Sequence, residues 1–189
     1  MRFAFVCSLV AATAAVLSLG AVVSADPTPG IETTPIPMSA KPEWSAMKFL
    51  LGTWQCSTKS SRRPSAYATT QVNTMDPTGR WMVTDSTIPG LSWAHAIVSV
   101  DKVTYDSSQH RWVDVYTDDQ GNYDVTYSPG WEGDTIVWTD QLFTPGPDII
   151  ATSPVTNTKV NDTKITGHNT FKEKSGRTIT VDSVCTKSI

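Results

Sequence analysis

The spacing of apolar residues along the chain changes at Gly52. Before it, Trp44, Met47 and Leu51 recur at the spacing of one helix face, which predicts a short helix over residues 43–51. Gly52 ends this helix because glycine bends the chain at low cost. After Gly52, apolar and polar residues alternate, as is typical of strands that bury one face.

The alternating region divides into ten predicted strands. They cover approximately residues 53–60, 65–74, 80–87, 93–104, 110–118, 122–128, 134–141, 149–158, 163–172 and 177–187. Short segments with turn residues join them, as in Asp76–Gly79 and Asp118–Asn122. This pattern predicts an all-β fold, a ten-stranded antiparallel up-and-down closed barrel with a short N-terminal capping helix. A β-sandwich is the competing architecture, although it usually needs longer crossing connections.

The amino-terminal segment predicts an exported protein. Arg2 precedes an apolar run over residues 3–23, and Val23-Ser24-Ala25 places small residues where a signal peptidase cuts. We therefore expect residues 1–25 to be a signal peptide and the mature protein to be periplasmic or secreted. A retained membrane anchor is the alternative, because the run is nearly long enough to span a bilayer.

The mature chain has two further parts and an acidic charge. Residues 26–42 contain five prolines and predict a disordered leader, which leaves residues 43–189 for the barrel domain. Removing residues 1–25 takes away one of 15 basic residues and none of 18 acidic ones, so the net charge becomes −4. The chain lacks a basic stripe, so we expect no nucleic-acid partner, and we expect no membrane association after cleavage.

The two cysteines outside the signal peptide, Cys56 and Cys185, predict one disulfide in an oxidising compartment. Two buried thiols are the alternative. Alternation places Cys56 on the face of Trp54, and Cys185 on the face of Ile179 and Val181. Closing the barrel brings the first and last strands together, so both cysteines are expected on inward faces within bridging reach.

Several short motifs resemble those of the calycin group. Phe49–Trp54 resembles the opening of lipocalins, fatty-acid-binding proteins and nitrobindin-like domains. Gly79–Met82, Tyr105-Asp106 and Trp112–Gly121 then follow in the order found in a bacterial lipocalin-like domain family of unknown function. The resemblance covers nearly the whole chain from Trp44. It implies a barrel for a small ligand, or one of unknown role, and brings no catalytic set.

Aromatic residues are the main candidates for a binding site, because all seven Trp and all five Tyr follow the signal peptide. The predicted ligand-binding residues are Arg80, Trp81, His95, Tyr116, Tyr123, Tyr127 and Trp138. Aromatic walls with a few polar groups suit a small apolar or amphipathic molecule. The alternative is that the same rings fill a solid core, as in a purely structural envelope protein.

Histidines leave two other functions open. His95 shares a face with Trp93 and Ile97, which directs it inward, where a histidine serves as a haem ligand or a general base. The haem-binding motif of nitrobindin-like proteins has no counterpart around any histidine here, so we expect no cofactor by resemblance. No metal-ligand spacing and no nucleophile elbow occur, so neither metal nor catalytic residues are predicted.

Carboxylates within strands are the remaining candidates. Asp85, Asp114 and Asp140 fall inside predicted strands, and we expect them on the outer face. A barrel enzyme, an isomerase or hydrolase with His95 or a buried Asp as base, stays open as an alternative to ligand binding. Its distinguishing feature would be two titratable groups that face each other in the cavity, with a shifted pKa in at least one.

Overall fold

Twelve strands and one short 3-10 helix form in the part of the chain that the computed structural model describes, residues 41–90, 95–143 and 148–188. The helix spans Lys48–Leu50. The strands are β1 (Gly52–Ser60), β2 (Tyr67–Met75), β3 (Met82–Ile88), β4 (Ile97–Asp106), β5 (Arg111–Asp118), β6 (Tyr123–Ser128), β7 (Trp131–Glu132), β8 (Thr135–Phe143), β9 (Ile149–Thr152), β10 (Val155–Asn161), β11 (Lys164–Glu173) and β12 (Thr178–Lys187). The predicted signal peptide, the leader up to residue 40, and Trp93 lie outside the described residues.

Ten of these strands close into an antiparallel barrel. Each strand from β1 to β6 pairs with the next, and the ring continues through β8, β10, β11 and β12 back to β1. The short strands β7 and β9 pair with β8 and β11 outside this ring. Closure removes the free edges that an open sheet would expose. The predicted ten-stranded barrel is confirmed.

The predicted strand over residues 149–158 is instead two strands, β9 and β10. Pro154 lies between them, and proline can neither donate to a ladder nor leave its fixed φ. The chain uses this break to change partners. Strand β9 pairs with β11 alone, whereas β10 lies between β8 and β11 and closes the ring.

The predicted helix over residues 43–51 is only a single helical turn. The carbonyl of Trp44 accepts hydrogen bonds from the backbone N–H groups of Met47 and Lys48, at 2.9 and 2.8 Å, and the 3-10 turn ends at Leu50. A segment this short does not propagate an α-helix, because nucleation is unfavourable. Its position is as predicted, since it caps one end of the barrel.

Large apolar side chains close that end, which we call the capped end. Met47 is fully buried and belongs to one apolar cluster with Met82, Val103, Trp112, Ile136 and Trp138. The carbonyl of Leu50 accepts hydrogen bonds from Trp54 Nε1 and Asn73 Nδ2, both at 2.7 Å. Two barrel side chains thus hold the capping turn in place.

The disulfide lies at the seam of the barrel. Cys56 in β1 is directly opposite Cys185 in β12, and the two are bonded, with Cα atoms 3.9 Å apart. The predicted pairing is confirmed, and it is compatible with the predicted extracellular location. The cysteines are 129 residues apart, for which the chain-entropy account gives about 4–5 kcal/mol of stabilisation. Across the described ranges, no helix is both long and apolar enough to cross a bilayer.

Candidate ligand-binding cavity

The barrel is hollow above the capped end. Three adjoining cavities of about 220, 320 and 260 Å³ share the side chains of Gln71 and Asp101. The first reaches down to Met47 and Leu50 of the capping turn. The other two extend towards the opposite end of the strands. Each is large enough for part of a small molecule, and pockets for such ligands commonly span 300–1,000 Å³.

The walls of this space change from apolar to polar along the barrel axis. Near the cap the apolar side of the first cavity is lined by Met47, Leu50, Trp54, Met82, Val103, Trp131, Ile136, Trp138 and Ile165, and polar residues such as Asn73, Thr84 and Asp114 complete its wall. Further up, the second cavity is lined by Gln71, Asp101, Asp114, Tyr116, Asp124, Thr126, Trp138, Val155 and Asn157. Five residues belong to both linings and lie where the two parts meet: Gln71, Asp101, Asp114, Trp138 and Asn157.

Three carboxylates come together in the polar part because they occupy inward positions of adjacent strands. Asp101 in β4 is directly opposite Tyr116 in β5, and Tyr116 is directly opposite Asp124 in β6. Asp114 lies two residues before Tyr116 on the same face and opposes Thr126. Directly opposed residues of neighbouring strands point to the same side of the sheet. We call Asp101, Asp114 and Asp124 the acidic cluster.

The acidic cluster holds protons more tightly than ordinary carboxyl groups do. Burial raises the pKa of Asp101 to about 7, with a further contribution from the charge of Asp124. Burial also raises the pKa of Asp114 well above its usual range, and Asp101 and Asp124 raise it further. The pKa of Asp124 is raised to about 6 by burial and by the charge of Asp140. Desolvation and like charges act in the same direction here.

Several polar atoms around the cluster are buried without a hydrogen-bond partner. They include Asp114 Oδ1, Asp124 Oδ1 and Thr126 Oγ1. Thr126 is only 6 % exposed, so its hydroxyl is withdrawn from bulk water. Buried polar groups are usually satisfied, and leaving one unpaired costs about 1–3 kcal/mol. Each of these oxygens can accept a hydrogen bond from a molecule bound in the cavity.

Tyr116 is held by the β5–β6 turn. Its phenol donates to Asp118 Oδ2 at 3.0 Å. Asp118 Oδ1 in turn accepts hydrogen bonds from the backbone N–H groups of Gln120 and Asn122 at 3.0 and 2.9 Å. Burial and the charge of Asp118 raise the pKa of Tyr116, so the phenol stays protonated. The turn therefore fixes the ring against the cavity.

Two of the seven predicted binding residues, Tyr116 and Trp138, line the cavity. Tyr123 and Tyr127 do not, because the inward positions of β6 are Asp124, Thr126 and Ser128. Tyr123 is 40 % exposed on the outer face. The Arg111 guanidinium stacks 3.4 Å from the ring centre of Tyr127. Their predicted inward orientation is wrong, since the face with the larger side chains here faces outward.

The other three predicted binding residues lie beside the barrel ends. The backbone N–H groups of Arg80 and Trp81 donate to Asp76 Oδ1 at 2.9 and 3.1 Å, so both residues belong to the β2–β3 turn. His95 is exposed and precedes β4, which begins at Ile97 rather than near residue 93. None of the three lines the cavities found in the described part of the chain.

Sequence reasoning identified no member of the acidic cluster as a site residue. The outer-face prediction is confirmed for exposed Asp85 and wrong for Asp114, which lines the cavity. It is also wrong for Asp140, which opposes buried Thr126 in β6. Asp101 and Asp124 were not predicted at all. Alternation along β5 could have placed Asp114 inside the barrel. Trp112, Asp114 and Tyr116 share one face of this strand, and Trp112 is buried.

Comparisons with known proteins give the fold. No protein-family model and no curated protein sequence matches this chain. The crystal structure of Rv2717c from M. tuberculosis is similar, with a TM-score of 0.57 and 10% identity over 80% of this chain and 100% of that one. The structure of EF1p2_mFAP2b bound to DFHBI has a TM-score of 0.37 and 14% identity over 76% of this chain and 97% of that one. A DUF3598-family protein of unknown function from Nostoc punctiforme has a TM-score of 0.37 and 16% identity over 75% of this chain and 48% of that one. The closed barrel and the likeness to Rv2717c fit a calycin-like barrel fold.

Proposed function

We propose that this protein binds a small amphipathic molecule inside its barrel. The observation that carries the proposal is a hollow interior with an apolar floor and a polar wall in one continuous space. A solid core would have no such space. A filled core also satisfies its polar atoms, whereas Thr126 Oγ1 and Asp114 Oδ1 are left without partners.

The floor supplies binding energy and the wall supplies orientation. Met82, Ile136 and Trp138 are buried side chains that face the space and offer apolar contact. A ligand that buries about 200 Å² of apolar surface gains on the order of 5 kcal/mol from that contact. Hydrogen bonds to Asn157 and to the acidic cluster would then fix the polar end of the ligand.

Export and family membership belong to the same proposal. The small residues that end at Ala25 and the Cys56–Cys185 disulfide support a protein that works outside the cytoplasm. The order of the motifs Gly79–Met82 and Trp112–Gly121 supports membership of the bacterial lipocalin-like family of unknown function.

Binding of a neutral fluorescent probe, N-phenyl-1-naphthylamine, tests the proposal. We expect saturable enhancement of probe fluorescence and quenching of tryptophan emission. Ser183 in β12 lines the cavity, whereas its neighbour Val184 is 43 % exposed on the outer face. The variant Ser183→Phe should weaken probe binding at least tenfold, and Val184→Phe should leave it unchanged.

Both variants need a check of folding by circular dichroism, because overpacking costs about 1–3 kcal/mol. A folded Ser183→Phe protein that binds the probe as well as the wild type would place the probe elsewhere. A wild-type protein that shows no saturable binding would refute an accessible interior.

A second proposal is acid–base catalysis in the same cavity, as an isomerase or hydrolase. It rests on Asp101 and Asp114, which are titratable groups on neighbouring strands with raised pKa values. Enzymes use such pairs because one member stays protonated while the other acts as base. Turnover of simple esters or ketones that disappears in Asp101→Asn, with probe binding retained, would favour this second function.

A further inference from the structure

The polar wall of the cavity has acceptors in excess of donors. Asp101, Asp114 and Asp124 bring three carboxyl groups to one lining, and Asn157 and Gln71 add amide groups that both donate and accept. Ionised carboxylates can only accept hydrogen bonds. A cationic ligand displaces the protons that the cluster holds, and the ionised wall then accepts hydrogen bonds from it.

Several cationic side chains of the described residues are engaged away from the acidic cluster. Among the described residues, the ion pairs join Arg62 and Arg177 to Glu173, Arg62 to Asp148, Lys159 to Asp162 and His168 to Asp182. Arg111, on the same strand as Asp114, stacks on Tyr127 at the outer face. Lys187 donates to the carbonyl of Phe49 at the capped end. None of these ion pairs includes a member of the acidic cluster.

A second observation is independent of charge. The hydroxyl of Thr126 is buried, has no hydrogen-bond partner and lines the same cavity as the acidic cluster. Thr126 opposes Asp114 directly in the β5–β6 register. A group that reaches Asp114 Oδ1 is therefore placed to satisfy Thr126 Oγ1 as well.

We propose that the ligand is an amphipathic amine, whose ammonium group pairs with Asp114 and its neighbours while its apolar body packs on Trp138 and the floor. This inference rests on the proposed function. An ammonium group carries three donors and a positive charge, which suits several acceptors at once. An anionic ligand would meet like charges, and a neutral apolar one would leave the buried acceptors unpaired.

Binding of an amine should depend on pH. The titratable groups that face Asp114 or lie beside it are Asp101, Tyr116, Asp118, Asp124 and Asp140. Near pH 6 part of the acidic cluster is protonated, so an ammonium ion must displace protons in order to bind. Affinity should therefore rise from pH 5.5 to pH 8, with proton release measurable in buffers of different ionisation enthalpy.

The test compares three eight-carbon compounds of similar size, n-octylamine, n-octanol and octanoate, by competition with N-phenyl-1-naphthylamine at pH 7.5. We expect octylamine to bind at least tenfold more tightly than octanol, and octanoate most weakly. Asp114→Asn should weaken octylamine binding about tenfold and leave octanol binding unchanged. The matched control is Asp85→Asn, which removes the same charge from an exposed position on β3 and should change neither.

The outcomes separate this inference from the proposed function. The amine inference would be overturned if octanol bound as tightly as octylamine. It would also be overturned if Asp114→Asn and Asp85→Asn changed octylamine affinity equally. Either result would leave the ligand cavity in place. If neither the fluorescent probe nor any of the three compounds binds, the proposed function of the cavity is itself refuted. Displacement of octylamine by millimolar Ca²⁺ or Mg²⁺ would assign the acidic cluster to a metal ion and would also overturn the inference. If Asp114→Asn does not fold, Asp124→Asn serves as the second variant.

Discussion

The capped end and the polar wall of the same barrel use opposite chemistry. At the capped end, Trp54 and Ile136 are almost fully buried, and the carbonyl of Leu50 accepts two side-chain hydrogen bonds. In the polar wall, Asp114, Asp124 and Thr126 have buried oxygens with no partner, compared with one such oxygen among the described residues beside the capping turn, Asn73 Oδ1. Both regions lie on the inward face of the same strands. The difference supports the proposed function, in which one end of the barrel supplies stability and the polar part receives the ligand.

Truncating a side chain at the capped end should give the largest effect. Ile136 is 2 % exposed, and Ile136→Ala is expected to lower the free energy of unfolding by about 2–5 kcal/mol, because it leaves a cavity in packed surroundings. Urea denaturation measures the change. The neighbouring Val137 points outward and is 38 % exposed, so Val137→Ala should cost less than about 1 kcal/mol. Equal losses in the two variants would show that the capped end is not the stabilising region.

Removing a charge from the polar wall should raise the free energy of unfolding, whereas Ile136→Ala lowers it. The folded-state pKa of Asp101 is raised to about 7, so the folded protein binds more protons than the unfolded chain between about pH 4 and pH 7. The contribution of Asp101 to stability is therefore fully present below about pH 4 and is lost as the pH rises through about 7. At pH 8 Asp101→Asn should raise the unfolding free energy by about 2–4 kcal/mol, since a pKa raised from 3.8 to about 7 corresponds to at most about 4 kcal/mol at about 1.4 kcal/mol per pKa unit.

Urea titrations at pH 5 and pH 8 measure this effect. The wild type should be less stable at pH 8, and the difference should shrink in Asp101→Asn. Carboxylates such as Glu173, whose pKa is lowered to about 2 by Arg177 and Arg62, lose their stabilising effect only at more acidic pH. A wild type that is equally stable at both values, or destabilised by Asp101→Asn at pH 8, would contradict an unpaired acidic wall.

Alternation and cysteine position were sufficient to predict the architecture. Two-residue periodicity delimited most strands, and placing Cys56 and Cys185 on inward faces predicted the seam, because the first and last strands of a closed meander must meet. The helix-face spacing of Trp44, Met47 and Leu51 predicted too long a helix before Gly52. Packing of Met47 into the barrel end, rather than helix propensity, decides the conformation there.

The site could not be predicted by the rule that the apolar face points inward. In β6 that rule favours Tyr123 and Tyr127, yet Asp124 and Thr126 face the cavity. Which face of a strand points inward depends on its register with both neighbours, and in a barrel with a polar cavity the inner face is not the more apolar one. The meeting of Asp101 with Asp124 across Tyr116 depends on three strands, so no single segment of sequence contains it.

The smallest effect is expected for a carboxylate of the same type on the outer face. Asp182 opposes His168 in the β11–β12 register, with 2.7 Å between Oδ1 and Nδ1, and both side chains are more than half exposed. Exposed pairs contribute about 0–1 kcal/mol, so Asp182→Asn should change the unfolding free energy by less than about 0.5 kcal/mol. Urea denaturation measures the change. A loss as large as the change in Asp101→Asn would mean that position inside or outside the barrel does not control the energetics of these carboxylates.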